Sequence, residues 1–156
     1  MKAGFVIEGA KELERNLATL EKRIQKKVVR QAVRAGQKPL LARAKANAVN
    51  RVGGTMGALI AKNLVIKAPR RQQKGMYSLH VQLRSGVSEF VHPTKSGRRH
   101  FIPADIEYGH GSDKEGAARP YARPATDATR EESIRALTRA LRTGLLREAI
   151  KGRSAQ

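Results

Sequence analysis

Four histidines, His80, His92, His100 and His110, and one closely spaced carboxylate pair, Asp105 and Glu107, are the side chains whose types and spacing could do metal or acid–base chemistry. A metal needs ligands that converge, yet no two of these histidines stand four apart on a helix and the chain has no cysteine to complete a set. His80 falls within an alternating apolar pattern and reads as a solvent-facing strand residue. Asp105 and Glu107 are two apart in what also reads as a strand, which would put them on one face. In a chain this rich in arginine they read as acceptors for Arg side chains, within the domain or across a subunit boundary, rather than as a catalytic pair. The glycine cluster at Gly53, Gly54 and Gly57 follows a helical pattern and lacks the Lys that a phosphate loop requires. The expectation is a protein that is not an enzyme and holds no metal or cofactor.

Charge is the strongest global signal. Lys and Arg number 32 against 13 Asp and Glu, a net charge of +19, which attracts polyanions and makes association salt-dependent. Two basic loops carry part of it: Arg70, Arg71 and Lys74 in one, Lys95, Arg98 and Arg99 in the other. They are candidates to face DNA or a partner protein, or simply to be solvated. Only Phe101 borders them, so stacking of unpaired bases has little support.

The elements that must position these residues follow from periodicity. From residue 11, Leu13, Leu17, Leu20, Ile24, Val28, Ala32 and Ala35 recur at steps of three and four, the stripe of an amphipathic helix. The pattern resumes after Pro39 with Leu40, Leu41, Ala44 and Ala48. Because Pro39 cannot donate to the carbonyl of Ala35, a kink or break is expected between Gly36 and Pro39. An unbroken helix of about 38 residues would also be about 57 Å long, against a radius of gyration of about 15 Å for a compact domain of this size. The Gly53–Gly57 cluster should end the helical region. Leu64, Ile66 and Ala68 begin a strand, and Tyr77, Leu79, Val81 and Leu83 alternate with polar residues, so the two read as an antiparallel hairpin with a long loop. Residues 87–91 suggest a further strand. A last helix spans about 126–151, with Ile134, Leu137, Leu141 and Leu145 as its stripe.

Residues 101–125 are the least ordinary stretch. Ile102, Ala104, Ile106 and Tyr108 alternate with Pro103, Asp105 and Glu107, which predicts a strand at a sheet edge; a glycine-containing loop and a rigid corner at Pro120 and Pro124 lead into the last helix. Tyr121, between the prolines, reads as a packing anchor or a contact to a neighbouring protomer. The whole predicts one α+β domain over 1–152: a strand or arm at 1–9, a long bent N-terminal helix and a C-terminal helix packed on a small antiparallel sheet of three to five strands, and a polar tail at 153–156. With aromatic residues at 4% and no Trp, the core must come mainly from Leu, Ile, Val and Ala, which suits helix packing. No apolar run approaches the about 20 residues of a membrane span and no signal segment is evident, so a protein that is soluble and intracellular when made is expected.

The run Ile106-Glu107-Tyr108-Gly109, with Arg119-Pro120-Tyr121-Ala122-Arg123-Pro124-Ala125 beyond it, resembles the signature of the tail-component family of gene product ten type from lambda-like siphophages. Gly53-Gly54-Thr55-Met56-Gly57-Ala58-Leu59 lies where that family tends to place a turn between its long helix and its first hairpin strand, with Asn50-Arg51-Val52 in place of the usual Ala-Pro. The resemblance covers most of the chain in order. It implies a head–tail joining or tail-completion protein in the neck of a virion, assembled as a ring of six or twelve copies around the DNA channel. Its partners would be copies of itself and neighbouring connector, stopper, tail terminator or tail tube proteins. The subunit interface would then use Asp105, Glu107, Tyr108, Arg119, Pro120, Tyr121, Arg123 and Pro124. The alternative is a basic nucleic-acid-binding protein without sequence specificity, acting through phosphate contacts.

Overall fold

Two long helices lie against each other through their smallest residues. The computed structural model describes residues 9–18, 20, 22–72, 76–93, 99–109 and 117–154. Helix α1 spans Ala10–Ala18 and helix α2 spans Lys22–Asn47, the latter burying Val28, Ala32, Gly36, Ala44 and Asn47 along one stripe. Helix α5, Arg123–Ser154, runs antiparallel to α2: Val28 touches Gly144, Gly36 touches Ser133 and Leu137, and Asn47 bonds to the chain just before α5. A Cβ on Gly36 would stand 3.0 Å from that of Leu137, and one on Gly144 would stand 2.8 Å from Val28 Cγ1. Absence of a side chain at these two points is what lets the backbones approach.

The expected single helix from residue 11 is instead two. The Leu20 N–H bonds Leu17 O at 3.1 Å, a tight closure that ends α1. Leu13 and Leu17 still face α5, where they line a shared pocket with Leu137 and Leu141. Nor does the helix break at Gly36–Pro39; α2 runs through Pro39. Proline removes only the bond to Ala35, and both residues line an open groove where water can serve the freed carbonyl. Burial of Val28, Ala32, Gly36 and Ala44 on either side holds the helix in register.

The glycine cluster starts a helix rather than ending the helical region. After α2 the chain makes one π turn, Ala48–Val52, in which Gly53 N–H reaches Ala48 O at 3.3 Å. Gly53 and Gly54 then take φ of +72° and +55°, and helix α3, Gly54–Asn63, begins. Strand β1, Leu64–Lys67, pairs antiparallel with β2, His80–Leu83, Leu64 opposite Leu83 and Lys67 opposite His80, which is the expected hairpin with the expected exposed His80. Gly86 at φ +85° and a 3₁₀ turn, Ser88–Phe90, turn the chain inward and bury Phe90. The next strands, β3 (Val91–Pro93) and β4 (Arg99–Phe101), therefore pair with each other and not with β2. The fold is α+β, but with two separate two-stranded sheets among the described residues in place of one sheet of three to five strands.

Residues 102–108 are the largest correction. They form helix α4, Ile102–Tyr108, not an edge strand. The buried cluster sits where the end of α2, α3, β1, α4 and the start of α5 meet: Ala44, Ala48, Val52, Ile60, Leu64, Phe90, Ile106, Tyr121 and Ala125. Phe90 and Ile60 are fully buried there, each stabilising by about 1.5–3 kcal/mol relative to exposure. Of the expected polar tail, Arg153 and Ser154 complete α5. The arm at 1–8 and residues 155–156 lie outside the described residues.

Candidate functional site

Helix α5 has to begin somewhere, and the first turn of any helix leaves N–H groups without intrahelical acceptors. Its own sequence offers no capping side chain there, because Ala122 and Arg123 precede Pro124. Glu107, at the end of α4, supplies the acceptor from a distance. Its Oε2 accepts from Tyr121 N at 2.8 Å and Ala122 N at 3.0 Å; its Oε1 accepts from Arg123 N at 2.9 Å and from Arg123 Nε at 3.3 Å. A carboxylate thus sits at the positive end of the dipole of a 32-residue helix, only 5% exposed.

The return contacts satisfy the end of α4. Arg123 Nη2 donates to Glu107 O at 2.6 Å, Arg119 N donates to Ile106 O at 2.8 Å, and Gly109, at φ +80°, donates to Asp105 O. Arg123 also lies over the Tyr108 ring, 5.0 Å from its centroid. Two further residues tie this joint to the π turn: Asn47 Nδ2 donates to Tyr121 O at 3.0 Å, and Arg119 Nη1 donates to Val52 O at 3.3 Å. The Tyr121 ring fills the core below, 5% exposed. Burial, with the nearby Glu107 and Tyr108 charges, pushes its phenol up to about 12.

Two opposing effects act on the Glu107 carboxyl. Burial raises its pKa, but the donors from Ala122, Arg123 and Tyr121, with the Arg123 side chain, outweigh it and hold the group below the usual carboxylate value. A carboxylate whose oxygens are already taken by four donors is a poor proton acceptor. It clamps two helix ends together.

The expected carboxylate pair is thereby separated. On a helix, residues two apart point to different sides, so Asp105 leaves Glu107 and contacts His100 of β4. His100 in turn stands opposite His92 across β3 and β4. Asp105, His92, His100, Arg119 and residues 53–56 line a cleft of about 580 Å³. Among the described residues no group of three His, Cys, Asp or Glu could hold a metal ion.

Of the eight residues suggested for a subunit interface, Glu107 and Tyr121 are buried within the protomer and Asp105, Pro120 and Pro124 are half-buried, while Tyr108 is 68% exposed and Arg119 and Arg123 also reach the surface. Arg70, Arg71 and Arg99 of the basic loops are exposed. Lys74, Lys95, Arg98 and His110 lie outside the described residues. Asn47 was not singled out by periodicity, although a signal exists: a polar residue interrupts the apolar positions Ala44 and Ala48.

Among the described residues, no helix is long and apolar enough to cross a membrane. No family model, curated protein or solved structure matches the chain.

Proposed function

We propose that this chain is a structural component of a tailed-phage virion, joining or completing the tail at the neck, where it assembles as a ring around the DNA channel. Two of the short motifs that carry the resemblance, Ile106-Glu107-Tyr108-Gly109 and Arg119–Ala125, are separated by nine residues in the sequence. Their convergence on one carboxylate is what supports it: Glu107 of the first motif accepts from the backbone of Tyr121, Ala122 and Arg123 of the second. Residues that recur together as a signature are explained when each completes the other's hydrogen bonds.

The clamp is internal, so the surface offered to neighbours is its outer side. Tyr108, held under Arg123, stands out from the joint at the end of α4 and is 68% exposed. Successive protomers in a closed ring meet through unlike patches, and a rigid joint presenting an aromatic residue and a guanidinium suits one of them. The partners are further copies of the chain and the connector, stopper, terminator or tube proteins above and below.

Mass spectrometry of purified virions, with imaging of the collar, tests this directly. Six or twelve copies per particle, with density at the neck, is the expected result. A particle that lacks the chain, or one that joins heads to tails normally after its gene is deleted, overturns the proposal.

A further inference from the structure

Helix α2 is built against its own electrostatics. Cations are unfavourable at the positive N-terminal end of a helix, yet α2 opens with Lys22, Arg23, Lys26 and Lys27 and has no acidic residue in its first turn. Like charges four apart on a helix repel, yet Arg23 precedes Lys27, Lys26 precedes Arg30, Arg30 precedes Arg34 and Arg34 precedes Lys38. Over its 26 residues there is no Asp or Glu. The first half of a helix that only had to pack on α5 would be more stable with acids at several of these positions.

These cations fall on one side. At 100° per residue, Arg23, Lys27, Arg30, Arg34 and Lys38 form a ridge opposite the stripe of Val28, Ala32 and Gly36 that is buried on α5. All five are exposed. Lys27 lies 4.0 Å from Glu148, while no carboxylate pairs with Arg23, Arg30, Arg34 or Lys38 among the described residues. Arg30 lies over the Tyr77 ring at 5.3 Å and is still exposed.

We infer that this ridge is a contact surface for the phosphate backbone of duplex DNA, and that it, rather than the hairpin loops, carries most of the chain's affinity for nucleic acid. Evenly repeated cations at steps of about 4.5–6 Å along the axis match a linear array of phosphates. The ridge from Arg23 to Lys38 has no large apolar side chain among its cations, whereas the centres of protein–protein interfaces are poor in Lys and rich in aromatic anchors. Contacts to phosphate carry no base information, so binding through this ridge is independent of sequence. This inference stands on α2 alone and holds whether or not the chain belongs to a virion neck.

The test compares the full chain with two variants of equal net charge, using anisotropy of a labelled 30-base-pair duplex between 50 and 200 mM KCl. The ridge variant carries Arg23→Gln, Arg30→Gln, Arg34→Gln and Lys38→Gln; the loop variant carries Arg70→Gln, Arg71→Gln and Arg99→Gln, with Arg84→Gln, at an exposed position just past β2, to equalise the charge. Losing four phosphate contacts should flatten the log–log salt slope by about 3.6 and lower affinity at 50 mM salt far more in the ridge variant than in the loop variant. The ridge variant should also melt close to the parent, since relief of repulsion and dipole conflict offsets loss of the Arg30–Tyr77 contact. Equal losses in the two variants overturn the inference. So does polyglutamate competing as well as unlabelled duplex at equal charge, because the ridge would then be a surface for acidic polypeptide.

Discussion

Helix α5 is held in two places by two kinds of force. At its N-terminus a buried carboxylate accepts directed hydrogen bonds from the backbone of residues 121–123, and along its length Gly36 and Gly144 let it lie close against α2. The joint is polar, angular and sensitive to protonation. The close approach at the two glycines is steric and indifferent to pH. One contact sets where α5 begins and which way it points; the other sets how near it lies. A long helix needs both, since close packing by itself tolerates sliding by a turn, and a clamp at one end leaves the far end free.

The largest effect should come from the joint. Glu107→Ala removes the acceptor for four donors and leaves Arg123 without its partner, so unfolding free energy measured by denaturant titration should fall by about 3–4 kcal/mol. A loss under about 1 kcal/mol would mean that the joint does not hold the helix ends. The same carboxylate sets the acid limb. Its pKa is lower folded than unfolded, so its contribution is fully present above the unfolded value of about 4.5 and is lost as pH falls through the folded one. The parent should therefore lose stability on acidification below about pH 4.5 more steeply than Glu107→Gln, whose stability lacks that proton uptake.

Asn47→Ala comes next. It strips the buried Tyr121 carbonyl of its donor, for an expected cost of about 1–2 kcal/mol in the same titration. On the steric side, Gly144→Ala drives a methyl against Val28, a stiff and buried neighbour, but gains about 1 kcal/mol of helix propensity, so the net loss should be about 1 kcal/mol. Its cost should shrink when measured in a Val28→Ala background, and strict additivity in that double-mutant cycle would remove the packing explanation. The smallest effect belongs to Glu148→Gln. Lys27 reaches this carboxylate at 4.0 Å and Lys151 at 3.9 Å, both from exposed positions. The expected change is about 0.5 kcal/mol or less, vanishing in high salt.

Legibility followed the length of each pattern. The β1–β2 hairpin was readable because Leu79, Val81 and Leu83 alternate over enough residues to exclude a helix. The stripe of α5 was readable for the same reason. Residues 102–108 were not, because in seven residues Ile102 and Ile106 satisfy a helical step of four as well as a strand step of two. Other signs favoured the helix there: Pro103 in the first turn, Asp105 near the positive end and Gly109 just past the last turn. The continuity of α2 through Pro39 was hidden differently, since a proline's cost is local and the packing that offsets it comes from α5, at the far end of the chain.

By itself, the order of residues determined the α+β class, the hairpin, the long helical stripes and the excess of positive charge, all of which depend on neighbours within a few turns. Only the folded chain decided that Glu107 faces α5 while Asp105 faces His100, and that two glycines from distant segments each meet the opposite helix. Those outcomes depend on which distant groups are brought within hydrogen-bonding or van der Waals distance, and such forces act over a few ångströms in space with no trace in the spacing along the chain.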